Sequence, residues 1–286
     1  MNWIAYSLLM FFSSVFLYLT VRKSSLDKVP TRLTNLAMFA IPLVAYVAIG
    51  AGTEQSYGIS IRHMAILVLA AAVFAYGGNT VSLKAIKTAP NPGYSLVLSK
   101  SYVLFTTLVA VLFLNANLSP RKAIAILLIV GFSALIMINK EEAHKVKDNR
   151  WILLSFGAFF GWGCLSLSSK YLFNQGVSTI PFLIYLYAVV TVCILAFSKV
   201  RVKDIKSIAR RDWLLLAGTG VFSTTFNLGQ FEAIKLAPNV GYVNAINAAS
   251  ISLVTVFAVV LFKDELTLKK GIGIFGVTLG LCLLLI

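Results

Sequence analysis

Residues 85–94 read AIKTAPNPGY, and residues 233–242 read AIKLAPNVGY. Eight of the ten positions match without a gap at an offset of 148. Self-similarity at a fixed offset decides the architecture before local propensity does. The offset extends well beyond these residues. Trp3 maps onto Trp151, Ser7 onto Ser155, Phe11 and Phe12 onto Phe159 and Phe160, Arg62 onto Arg210, Asn79 onto Asn227 and Lys122 onto Lys270. Residues 1–138 therefore align without a gap to residues 149–286.

The chain is 59% hydrophobic and 12% charged, about half the charged fraction of a soluble domain. Its apolar residues come in runs of about 20, the length a helix needs to cross a bilayer. The expected fold is all-α and polytopic. The net charge of +15 does not point to nucleic acid, because the basic residues sit mainly in short gaps between apolar runs, where the positive-inside rule puts them. Cys164, Cys193 and Cys282 fall inside apolar runs and read as small buried hydrophobes, not as disulfides or metal ligands. The N-terminus carries no basic n-region or A-x-A-like site, so the first run is read as a retained helix.

Ten spans are expected, near 3–21, 33–50, 62–84, 93–114, 120–138, 151–173, 179–198, 213–233, 241–262 and 268–286. Pro90, Pro92 and Pro238 mark the turns before the fourth and ninth. The domains follow: a first five-helix unit at 1–138, a cytoplasmic linker at 139–150 reading NKEEAHKVKDNR, and a second five-helix unit at 151–286. A unit that crosses an odd number of times leaves its second copy upside down, which gives inverted repeats with a site near the midplane. Loop charge reverses accordingly. RKSSLDKVPTR is basic where its equivalent NQGVST is neutral, and GAGTEQSYGIS is poor in Lys and Arg where KVRVKDIKSIARRD is rich. Both termini are thus expected outside.

An inverted five-plus-five repeat carrying AIKTAPNPGY, AIKLAPNVGY and VLFKDELTLKKGIGIFGVTLG (260–280) resembles the ten-helix EamA branch of the drug/metabolite transporter superfamily. Asp264, Glu265, Gly271, Gly273, Gly276 and Gly280 fit that family's acidic turn and Gly-rich last helix. The resemblance implies a central cavity lined by helices one to four and six to nine, with five and ten flanking. Two departures stand out. The first half has FLNANLSPRKA in place of the acidic turn, and neither 93–114 nor 241–262 contains the proline often found there.

Polar groups in hydrocarbon cost free energy unless they are paired or face water. On the ninth helix Asn244, Asn247 and Thr255 share a face about 80° wide at 100° per residue. The repeat carries that face onto Leu96, Ser99 and Thr107, with Lys100 at its edge. Lys100 is the one formal charge well inside a span. A mid-membrane lysine costs about 2.5–3.5 kcal/mol on insertion scales, so it signals function unless it snorkels to the headgroups. Tyr76, Asn79 and Asn227 come from the third and eighth helices, Ser14 and Tyr18 from the first, Trp162 and Ser166 from the sixth, and Tyr185 from the seventh. The candidate substrate-binding set is Lys100, Ser99, Asn244, Asn247, Asn79, Asn227, Ser14, Tyr18, Trp162, Ser166 and Tyr185. For Asn79 and Asn227 the alternative is interhelical hydrogen bonding. Glycine pairs 157/161 and 276/280 read as helix packing. All acidic residues lie in loops or at span ends, Glu232 being the nearest to the membrane and expected to pair with Lys235.

These residues suit a secondary transporter of a small polar metabolite, neutral or anionic, such as an amino acid or organic acid. The alternative is a flippase for an anionic lipid or lipid-linked sugar. A membrane-embedded enzyme or a scaffold is a further class. With His63 and His144 in or beside loops, there is no metal-ligand cluster and no buried acid/base pair. No cofactor, catalytic residue or metal is expected. The expected partners are a small-molecule substrate and the lipid bilayer, with a coupling ion or counter-substrate. The chain is expected as a monomer or weak homodimer in a prokaryotic inner membrane.

Overall fold

The computed structural model describes residues 2–53, 56–89, 92–138, 149–198 and 208–286. The described chain is helical, without strands. Ten membrane-length rods follow in order: α1 (Trp3–Leu26), α2 (Thr31–Ala51), α3, α4, α5 (Pro120–Met137), α6 (Arg150–Asn174), α7 (Thr179–Phe197), α8 (Arg210–Leu236), α9 (Val240–Phe262) and α10 (Leu268–Leu285). Two rods are irregular. α3 passes from Ile61–Leu69 through a π-helical Ala70–Gly77 into Gly78–Thr88, and α4 is split into Pro92–Lys100 and Tyr102–Leu114. Nine of the ten are apolar enough over 18 residues to span a membrane, α8 being the exception. Large apolar side chains such as Leu112, Phe113, Leu153 and Phe275 are more than 70% exposed on the rod surfaces, as a lipid-facing surface requires. The protein is a polytopic membrane protein.

The ends of the helices repeat as the sequence does. Ser119 caps α5 by accepting from the amide of Lys122, and Thr267 caps α10 from that of Lys270. Among the described residues four have positive φ, and they fall into two pairs 148 apart: Lys28 with Gly176, and Asn115 with Lys263. Asn115 and Lys263 end α4 and α9 in the left-handed region, each amide bonding back five residues.

The two halves interleave. α1 packs along α8, and its equivalent α6 packs along α3. α2 lies against α8 and α7, while α7 lies against α3. α9 is held by α1, α4 and α5, and α5 packs on α10. The glycine pairs serve these contacts. Gly161 meets the backbone of Gly78, where a Cβ would come within 2.8 Å of Cα, and Gly276 lies on the ring of Phe132. Cys164 and Cys193 are half-buried and Cys282 is exposed on α10, so burial is not what these thiols share. Residues 139–148 of the expected linker, Pro90 and His144 lie outside the described residues.

Candidate functional site

α4 breaks between two serines. Ser99 and Ser101 donate to the carbonyls of Leu96 and Leu98, and Thr106 and Thr107 both donate to that of Val103. Such back-bonding competes with the helical ladder. At the interruption Leu104 bonds to the carbonyl of Ser101, a tighter i−3 link. Lys100 is the last residue before this joint.

The joint places the Lys100 ammonium among aromatic rings. Its Nζ donates to Tyr18 Oη at 3.1 Å. It lies 5.5 Å from the Tyr18 ring centroid and 5.3 Å from that of Trp162. Tyr18 comes from α1 and Trp162 from α6. Close approach of α3 and α6 at Gly78 and Gly161 sets the position of Trp162, whose Cδ1 is 3.7 Å from a Cβ built at Gly78. Tyr102, which the sequence reading did not include, completes the group. It is buried, stands edge-on to Trp162 at 6.1 Å, and its phenol interacts with Lys100, Tyr18 and Asn247. In a regular helix Tyr102 would point about 200° away from Lys100; the interruption at Ser101 brings both to one cluster. Tyrosine at membrane depth was the available signal.

Asn244 and Asn247 are buried on α9. Asn244 donates to Thr106 Oγ1 at 3.0 Å and accepts from Ser166 at 3.5 Å, so it ties α9 to α4 and α6. The Oδ1 of Asn247 is buried without a hydrogen-bond partner. The structure thus gathers Lys100, Tyr18, Trp162 and Asn247, and places Asn244 with Ser166 beside them. The other candidates have partners of their own. Asn79 donates to Asn35 at 2.9 Å, tying α3 to α2. Asn227 donates within α8 to the carbonyl of Ser223. Ser14 and Ser99 donate to carbonyls of their own helices. Tyr185 donates to the carbonyl of Tyr57, ahead of α3.

Charges elsewhere mark helix ends. Arg22, near the end of α1, grips Asp264 with two 2.7 Å bonds and lies 4.7 Å from the Phe262 ring. That hydrogen-bonded guanidinium, with Lys270 nearby, holds the Asp264 carboxyl below its usual range against partial burial. Glu232 makes no ion pair with Lys235 among the described residues. The carbonyl of Lys235 instead accepts from Lys170 at 2.9 Å. Among the described residues no group of three or more His, Cys, Asp or Glu could hold a metal.

The EamA-like transporter family is matched over residues 149–286. A solved crystal structure superposes with a TM-score of 0.75 over 99% of this chain and 98% of its own, at 16% identity, a likeness of fold alone. It is among 29 matching solved chains. No curated protein matches this sequence.

Proposed function

From the match of residues 149–286 to the EamA-like transporter family, we propose that this chain moves a small solute bearing a carboxylate, an amino acid or organic acid, by alternating access of its two five-helix halves. The single observation behind this is the ammonium of Lys100. An ammonium has three donors. One is used on Tyr18, two ring faces lie nearby, and among the described residues no carboxylate pairs with it. A charge at this depth with unused donors suits an anionic ligand group, and Asn247 on α9 supplies a further unpaired polar atom.

A carboxylate on Lys100 would form a charge-assisted bond worth about 1.5–3 kcal/mol. Lys100→Ala and Lys100→Gln are expected to weaken binding about 10- to 150-fold, and Lys100→Arg to retain part of the affinity. The ligand is found by a thermal-shift panel of amino and organic acids, since one present at about 100 times its Kd adds about 2.7 kcal/mol of apparent stability. Affinity and uptake are then measured at matched expression. Wild-type affinity in the Ala and Gln variants would remove Lys100 from the site.

The same reading puts both termini outside and the linker inside, in a prokaryotic inner membrane. In a chain with its native cysteines replaced, an impermeant thiol reagent on intact cells is expected to label Ser56→Cys and spare Glu265→Cys. The opposite pattern reverses the orientation.

A further inference from the structure

The surroundings of Lys100 hold more than an anion anchor requires. Tyr18 and Trp162 present two rings to one ammonium, and Tyr102 backs Trp162 edge-on. Rings of this kind attract cations through their quadrupole, and cages of them recognise alkylammonium ligands. The symmetry-related positions keep none of this. At the offset of 148, Tyr18 corresponds to Ser166, Trp162 to Ser14, Tyr102 to Ser250 and Lys100 to Ala248. Each ring is matched by a serine and the cation by an alanine. A packing need shared by both halves would have left aromatics on both sides. The box is therefore a feature of one side, assembled from α1, α6 and the second segment of α4.

A second observation concerns where the ammonium can go. Ser133 on α5 is 2% exposed, and its hydroxyl has no hydrogen-bond partner. It lines a cavity of about 10 Å³, the room of one water, together with Lys100, Ser101 and Ala248. None of the rings lines this space, so the lysine borders, besides the rings, a small cavity with an unused polar group. The four-carbon stem of lysine has the rotamer freedom to exchange one environment for the other.

We propose that the box of Tyr18 and Trp162, backed by Tyr102, is an alkylammonium subsite, and that Lys100 is its built-in occupant while the carrier is empty. The substrate is then a zwitterion. Its cationic nitrogen takes the box, and its carboxylate draws Lys100 out toward Ser101 and Ser133. The carboxylate half rests on the function proposed above; the box is tested without it.

The test uses the purified full chain and tetramethylammonium chloride, with sodium chloride at equal ionic strength as control. Binding is read by tryptophan fluorescence and by thermal shift. Lys100→Ala, which installs the residue that the second half carries, is expected to bind tetramethylammonium at least about tenfold tighter than wild type, since a desolvated cation–π contact is of that order. Adding Trp162→Leu is expected to abolish the gain. Should Lys100→Ala fail to fold, Lys100→Gln is titrated in its place. Equal binding by wild type and the Lys100 variant, or a gain that survives Trp162→Leu, overturns the box. If the box fails while Lys100→Ala loses affinity for carboxylates, the anion anchor stands alone. A gain for tetramethylammonium with unchanged carboxylate affinity leaves the box and removes the anchor.

Discussion

α4 and α9 are the same helix by sequence offset, and they differ in continuity. Both rods cover equivalent positions and end at residues in the left-handed region, Asn115 and Lys263. α9 is unbroken from Val240 to Phe262, and every residue from Val240 to Ser250 is buried. α4 is interrupted at Ser101, and Lys100 beside the break is only half-buried. Back-bonding hydroxyls alone do not explain the difference, because Ser250, Ser252 and Thr255 do the same in α9. The neighbours do. α9 is packed by α1, α4 and α5, whereas no comparable contact joins α4 to α10 among the described residues. Duplication set where both helices begin and end; surrounding contact set which one stays whole. The whole helix carries Asn244 and Asn247, and the broken one carries Lys100.

That contrast can be broken most forcefully where the two helices meet. Gly241 of α9 sits on Thr107 of α4, and a Cβ there would come within 1.8 Å of Oγ1 and 2.8 Å of Cα. Overpacking of this kind costs about 1–3 kcal/mol. Gly241→Ala is therefore expected to lower the apparent melting temperature more than Asn244→Ala or Arg22→Gln does. An unchanged melting temperature would mean the helices separate freely at this point.

A smaller effect is expected at the polar tie. Asn244→Ala leaves Thr106 and Ser166 without their interhelical partner. Interhelical hydrogen bonds in membranes average about 1 kcal/mol, so a loss of about that size is expected in chemical unfolding. A loss of zero would show that α9 is held by packing alone.

The smallest effects lie at the ends of α1 and α6, where the halves differ again. Arg22 and Lys170 are equivalent positions. Arg22 finds Asp264, but the position equivalent to Asp264 is Ala116, and Lys170 bonds instead to the carbonyls of Lys235 and Ala237. Because the folded-state pKa of Asp264 is depressed, its pairing contributes stability above the unfolded carboxylate pKa of about 3.9. That contribution is lost as pH falls from there through the lower folded value. The pair is part-exposed, with side-chain exposures of 39% and 27%, so its contribution is less than about 1 kcal/mol. Melting temperatures measured across the acid range should fall less steeply for Arg22→Gln than for wild type. Lys170→Met should shift stability by a similar amount with no added acid dependence. Parallel acid profiles for wild type and Arg22→Gln would count against the ion pair.

Much of this architecture was legible in the chain itself. Hydrophobic runs of bilayer length reveal the rods, because only a helix satisfies its own backbone in lipid. The repeat shows in the ends of α4 and α9 and of α5 and α10, which fall 148 apart to the residue and within one residue of the expected spans, since caps such as Ser119 and Thr267 are local chemistry. The cost of a buried charge picked out Lys100. What the chain alone did not reveal was which polar groups meet. Asn79 and Asn227, identical in the repeat, have unlike partners, Asn35 and Ser223, because position 183, equivalent to Asn35, is a leucine. The π-helical turn in α3 and the interruption in α4 changed the facing of the residues beyond them, and a wheel drawn at about 100° per residue carries no term for such a break. Sequence determined the rods, their ends and the lone charge, all of which depend on neighbours a few residues away. Only tertiary structure decided that rings from α1 and α6 lie against that charge, because the contact joins residues 18, 100 and 162, which only the packing of separate helices brings together.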